Sequence, residues 1–395
     1  MAHRLSSVPM RAPLHVLLST FLCALLSACA TPAAPPPADL FFDEQFAAPH
    51  QRIDIGEVFA LSEAMKRFAH SDIARQMREQ GGPRGLIDAL NRRDQLKLDY
   101  DSTQTRNAAQ TFEARKGNCL SLVIMTAAFA KELHLTVTYQ SVDMEDTWSR
   151  REDIVFLSSH VNLTLGKHEV DSPRGYDPAR TLTVDFLPAD EILGQITLSI
   201  PEQTVVAMYM NNRAAEALAR GLVDDAYWWA RGAVVSAPEF SAPYNTLGVV
   251  YLRHGDLAAS EAVLRHVLAH DARERQALSN LAIVLDKQGR AGEASTLRAR
   301  LAQLEPFSPY HFYFLGLEAM RRGDFQTAKT EFAKEVERDE YSSEFHFWLG
   351  LANLKLGDLA EARKQINQAM VSSTTNTDRD VYAAKLERLR SYGVH

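Results

Sequence analysis

Three residues of this sequence have the types and the order of a thiol-based acyl-transfer site. Cys119 follows Lys116-Gly117-Asn118, a breaker and an N-cap residue, and precedes an apolar run over residues 120–133. That pattern predicts a buried helix with the thiol on its first turn. Unpaired backbone N–H groups and the positive end of the helix dipole there favour thiolate over thiol and can donate to a tetrahedral oxyanion. A cysteine nucleophile needs a base. In residues 154–165, Val161, Leu163 and Leu165 share one face of a strand, and His160, Asn162 and Thr164 share the other. In residues 181–187, Leu182, Val184 and Phe186 alternate with Thr183 and Asp185. A carboxylate on the polar face of a neighbouring strand can orient His160 through its second ring nitrogen. Asp171, in Glu169-Val170-Asp171, is the rival orienting acid. Asn118 and Asn162 are candidate oxyanion donors or supporting contacts, with Gln104, Asn107 and Gln110 as further side-chain donors. His134 reads as the C-terminal cap of the helix and His168 as an exposed turn residue. None of His134, His160 and His168 stands in a His-x-x-x-His spacing and no paired-Cys spacing accompanies them, so neither a metal site nor another cofactor is expected. The competing reading is a buried, inert thiol and a strand histidine satisfied locally.

These residues need a helix and at least two strands to meet. A cysteine at the start of a buried helix, followed by His and Asp on successive strands, resembles the transglutaminase-like, papain-related cysteine enzyme superfamily over residues 45–200. The resemblance implies an α+β transglutaminase-like or papain-like domain with Cys119 as nucleophile, His160 as base and Asp185 as orienting acid. Two features depart from the family pattern. Asn162 stands where a Trp often follows the histidine by two, and the 25 residues from His160 to Asp185 make a longer gap than usual.

After Pro201 the sequence repeats itself. Gly221, Gly255, Gly289, Gly323 and Gly357 are spaced by 34 residues, each opening a second helix. A small residue (Ala214, Gly248, Ala282, Gly316, Gly350) sits seven positions before each glycine, and Ala226, Ser260, Ala294, Ala328 or Ala362 five after it. The pattern resembles the tetratricopeptide repeat over residues 207–376, implying an all-α solenoid of five helix pairs from near Ala207, followed by a polar-faced capping helix in 377–395. The aromatics Tyr209, Trp228, Trp229, Tyr310, Phe312, Tyr313, Phe345 and Trp348 are either inter-repeat core or the lining of a groove that holds a protein or peptide partner.

The N-terminus places the chain in a compartment. A basic stretch ending at Arg11 precedes an apolar run over residues 13–26, too short to span a bilayer comfortably and suited to a signal-peptide core. Leu26-Ser27-Ala28-Cys29 then resembles a bacterial lipobox, implying cleavage after residue 28 and a lipid anchor on Cys29. Ala30 is not the aspartate that by resemblance retains such proteins in the inner membrane. The expected location is the outer membrane, facing the periplasm. Residues 29–44 read as the lipidated cysteine and a Pro/Ala-rich tether. With Cys23 removed and Cys29 lipidated, Cys119 is the one remaining thiol, an unpaired cysteine in an oxidising compartment. A net charge of −7 without a basic stripe excludes a nucleic-acid binder, and 46% apolar with 24% charged residues excludes a disordered chain. Two functions are therefore expected: a membrane-anchored cysteine acyl-transfer enzyme with a protein-binding repeat domain, or a non-catalytic repeat scaffold lipoprotein in envelope or export assembly.

Overall fold

A computed structural model describes residues 35–91, 98–102, 104–151, 154–166, 181–186, 196–373 and 375–391. Cys29, Asp171, His168 and the leader lie outside these. Helix α1 (Glu63–Phe68) runs through a π turn (Ala69–Ile73) into α2 (Ala74–Gln80) and is followed by α3 (Gly82–Asn91). A short parallel pair, β1 (Asp99–Tyr100) and β2 (Lys116–Gly117), brackets α4 (Ala108–Ala114). Helix α5 (Cys119–Glu132) comes next, buried from Leu120 to Ala130. With apolar side chains on nearly every face, it is stable only when surrounded. It ends at Glu132 with Leu133 as its C-cap; His134 follows with φ at +58°, and the Leu135 N–H bonds the Ala130 carbonyl.

Around α5 lie the four strands of an antiparallel sheet: β3 (Thr136–Arg151), β4 (Ile154–Gly166), β5 (Leu182–Val184) and β6 (Ile196–Ile200), in the order β5-β4-β3-β6. Val161, Leu163 and Leu165 join the apolar cluster built on α5, as the period-two pattern requires. Strand β5 is shorter than the alternation over 181–187 predicts, and Asp185 lies just beyond its end. The β3–β4 register slips between Val142, opposite His160, and Thr147, opposite Ser158. Such a bulge re-aims the side chains beside it.

The C-terminal half consists of helix pairs: α6 (Glu202–Ala219) with α7 (Val223–Ser236), α8 (Ser241–His254) with α9 (Leu257–His270), α10 (Arg275–Lys287) with α11 (Ala291–Leu304), α12 (His311–Arg322) with α13 (Phe325–Arg338), and α14 (Ser343–Lys355) with α15 (Leu359–Val371). A last helix, α16 (Asn376–Ser391), covers α15 with Tyr382, Leu386 and Leu389. All five spaced glycines have φ between +73° and +99°, the left-handed conformation that ends a helix and that glycine adopts without a Cβ clash. The small residue before each turn is a packing requirement: a Cβ on Gly316 would sit 2.6 Å from the Phe332 ring, and one on Gly350 2.6 Å from Ile366. Among the described residues, no helix is long and apolar enough to cross a membrane.

Two boundaries differ from expectation. Helix α6 begins at Glu202, and Val205, Val206, Ala207, Met208, Tyr209 and Met210 are buried in the core around α5. The first repeat therefore completes the N-terminal domain. The tether expected to run to residue 44 ends earlier, because from Ala38 onward the chain lies on the first two repeats. There Leu40 and Phe46 are buried, and Phe46 stacks on Tyr227 at 3.9 Å. Asp43 accepts from Tyr227 and Arg231, and Tyr251 donates to the Leu40 carbonyl. Three phenylalanines in the segment supply the apolar area that a Pro/Ala tether lacks.

Candidate functional site

Cys119 is the first residue of α5, and Asn118 is its N-cap. The Asn118 Oδ1 accepts from the Ser121 N–H at 2.9 Å and from the Ser121 hydroxyl at 2.7 Å, while its Nδ2 donates to Thr105 Oγ1 at 2.9 Å. Asn118 thus holds the helix start, in keeping with its reading as an N-cap and supporting contact. Asn107 and Gln110 are likewise bound to each other in a reciprocal capping box at the start of α4, and Gln104 Oε1 accepts from Arg106.

The sheet register explains how His160 finds its acid. Leu163 lies opposite Val184 and Thr164 opposite Thr183. Continuing the antiparallel pairing puts Asp185 opposite Asn162, with His160 two residues along on the same face, within diagonal reach. His160 Nε2 is 2.7 Å from Asp185 Oδ1, and Asn162 Nδ2 donates to Asp185 Oδ2 at 2.9 Å. Both carboxylate oxygens are therefore held. Asn162 acts on the acid, as a supporting contact. The His160 and Asp185 side chains are buried, and the Cys119 side chain is near enough to act on the His160 ring. With Nε2 taken by Asp185, Nδ1 is the ring nitrogen left for the thiol. Cys119 itself is half-buried.

Burial is the largest influence on His160 and by itself would push its pKa down. The hydrogen bond to Asp185 and the nearby Cys119, reinforced by their charges, overcome it and hold the imidazole at about 9. The structure brings Cys119, His160 and Asp185 together, with Asn118 and Asn162 as their immediate supports. Among the described residues, no three His, Cys, Asp or Glu side chains are placed to hold a metal ion.

The contacts that hold the entry to α5 were not legible in the sequence. The Arg106 N–H donates to Ser121 Oγ, and buried Asp101 pairs with Arg106 at 3.1 Å and Lys116 at 3.2 Å. Thr105, Asn212, Arg213 and Glu216 belong to the same region, more than 100 residues apart in the chain. No local pattern marks such pairs. The aromatics expected either to line a groove or to fill the core are mostly core: Tyr209, Tyr310, Phe312, Tyr313 and Phe345 are buried, and Trp229 and Trp348 pack against buried clusters.

The tetratricopeptide repeat family model matches residues 245–309 and 313–376. The C-terminal half of this chain carries tetratricopeptide repeats. Solved structures with which it shares similarity include a thermophilic TPR protein of Thermus thermophilus, 18% identical, covering 46% of this chain and 98% of the other at a TM-score of 0.28. PilF of Pseudomonas aeruginosa is 20% identical, covering 48% and 94% at 0.27. YrrB, described as a TPR protein with an unusual peptide-binding site, is 17% identical, covering 46% and 92% at 0.24. No curated protein sequence matches this chain.

Proposed function

We propose that this chain is a tetratricopeptide scaffold that holds a protein or peptide next to a cysteine acyl-transfer site. The observation carrying the catalytic part is His160, buried between Asp185 at 2.7 Å and Cys119 at the start of α5. In this reading the Cys119 sulfur attacks an amide carbonyl, and the thiol proton resides on His160. The N–H groups of Cys119 and Leu120, which have no intrahelical acceptor, receive the developing oxyanion. Collapse breaks the C–N bond, and His160 returns the proton to the departing amine. Water, or a second amine, then attacks the thioester, gives its proton to His160 and frees the thiol. Asp185, held by Asn162, keeps the ring in the tautomer this needs. Hydrolysis of a peptide or isopeptide is the preferred outcome. Transfer to an amine uses the same intermediate.

The second reading, a scaffold with a non-catalytic N-terminal domain, is favoured by the family match confined to the repeats. Thiol reactivity separates the two. In a chain beginning at Ala30, Cys119 is the single thiol. It should react with iodoacetamide at neutral pH, His160→Ala should slow that reaction at least about tenfold, Asp185→Asn should slow it less, and Asp171→Asn should leave it unchanged. Equal rates for the wild type and His160→Ala would leave the scaffold reading alone standing.

The proposal extends to location: Cys29 carries diacylglycerol, and the mature chain faces the periplasm from the outer membrane. Cys29→Ala should release the protein from the membrane fraction or leave its precursor uncleaved. Normal processing and retention of that variant would end this part.

A further inference from the structure

Thr105 is almost completely buried, and all of its polar groups are engaged. Its N–H donates to Glu216 Oε1 at 2.6 Å, and its carbonyl accepts from Arg213 at 3.3 Å. Its hydroxyl oxygen accepts from Asn212 at 3.3 Å and from Asn118 at 2.9 Å. The first three partners are on α6, within the first repeat; the fourth is the N-cap of α5. Arg213 and Glu216 are themselves paired at 3.1 Å, and Arg213 lies over the Trp229 ring of α7. On the other side, Asn118 passes the constraint to Ser121, whose hydroxyl also takes the Arg106 N–H. A continuous set of hydrogen bonds thus runs from the first helix pair of the repeats to the turn of helix on which Cys119 stands.

We propose that Thr105 and Glu216 are positioning residues for Cys119, so that the first repeat is a working part of the cysteine site. The inference rests on the acyl-transfer reading, since it concerns where the thiol is held relative to His160. Without the Thr105 hydroxyl, the part-buried Asn118 Nδ2 loses its acceptor, and the cap is held through its Oδ1 by Ser121 alone. The first turn of α5 then shifts against β4, and geometry of this kind tolerates displacements of well under an ångström. Glu216 acts at one remove, through the Thr105 backbone. An unpartnered Thr105 N–H would let the loop drift and carry the cap with it.

The test is the pH profile of Cys119 alkylation by iodoacetamide, from pH 5 to 10, in the chain beginning at Ala30. Thr105→Val keeps the shape and removes the acceptor. It should lower the neutral-pH rate at least about fivefold and move the profile to higher pH, and Thr105→Ser should restore both. Glu216→Ala, altered only in the repeat, should act in the same direction, and its effect combined with Thr105→Val should fall short of the product of the two. A merely structural role would lower the melting temperature and leave the pH profile in place. A wild-type profile for Thr105→Val or for Glu216→Ala, alongside a slow His160→Ala, would overturn this inference and leave the acyl-transfer reading intact. A His160→Ala variant as fast as wild type would remove the reading and the inference together.

Discussion

At the scale of residues, the site depends on how His160 balances burial against two partners. Taken out of water, an imidazolium loses solvation; bonded to Asp185 and beside Cys119, it regains more than it lost, and its pKa stands at about 9 against an ordinary 6.5. A histidine raised in this way contributes stability that is fully present below about pH 6.5 and is lost as pH rises through about 9. Wild type should therefore be more stable than His160→Gln at pH 6, and the gap should narrow by pH 9.5. Thermal melts across that range measure it, and a gap that stays constant or widens would contradict the charge assignment. Asn162 should matter through Asp185. Asn162→Leu removes a hydrogen bond to the charged carboxylate at Oδ2, a loss of about 1.5–3 kcal/mol in stability that the same thermal melts would read.

At the scale of elements, the repeats show how narrowly a helix pair constrains its contacts. Gly316 lies under Phe332, which is fully buried, so Gly316→Leu has to displace an aromatic ring held on all sides. Overpacking of this kind costs about 1–3 kcal/mol, and urea unfolding followed by circular dichroism should show it. Gly292 is the contrasting case. It lies inside α11, has an ordinary φ, and a Cβ there meets nothing within 4 Å. Gly292→Ala should stabilise by about 0.4–1 kcal/mol by restricting the unfolded chain. If both substitutions moved the midpoint alike, close packing would not be what separates the two sites. Helix α11 has Ala294 as its one buried residue, and the buried clusters on its two sides are separate, with α6–α11 in one and α12–α14 in another. Repeat sequence alone suggests a uniform array.

At the scale of the whole molecule, the N-terminal domain and the first repeat share one core. Removing α6 strips six consecutive residues, Val205 to Met210, from the cluster around α5, and Ala233 of its partner helix α7 and Ala237, that helix's C-cap, belong to it as well. A chain ending at Pro201 should therefore bind a hydrophobic dye and lack sharp unfolding, whereas one ending at Phe240 should melt cooperatively. Equal cooperativity in the two would show that the domain needs nothing from the repeats. The segment before the domain ties the opposite way. Phe46 is buried against Tyr227 and Tyr251, so Phe46→Ala should cost about 3–5 kcal/mol. Calorimetry on the full chain would measure this. A loss near zero would mean that the segment only rests on the repeats.

The sequence by itself determined whatever is periodic or local. The 34-residue glycine spacing specified helix pairs because only glycine enters the left-handed turn without strain, and the apolar run behind Gly117-Asn118 specified a capped, buried helix with Cys119 at its start. The alternation in 160–165 put His160 and Asn162 on one face of a strand. The tertiary structure decided which groups meet. Asn162 read as either an oxyanion donor or a supporting contact, and strand register aims it at Asp185; Asn118 was legible as an N-cap, but its bond to Thr105 was not. The domain boundary was hidden for the same reason: an apolar face on α6 looks alike in sequence whether it packs on a repeat or on α5. The bonds from Glu216 and Arg213 to Thr105 cross more than 100 residues of chain, and no sequence pattern encodes contacts that exist only once two distant segments are packed.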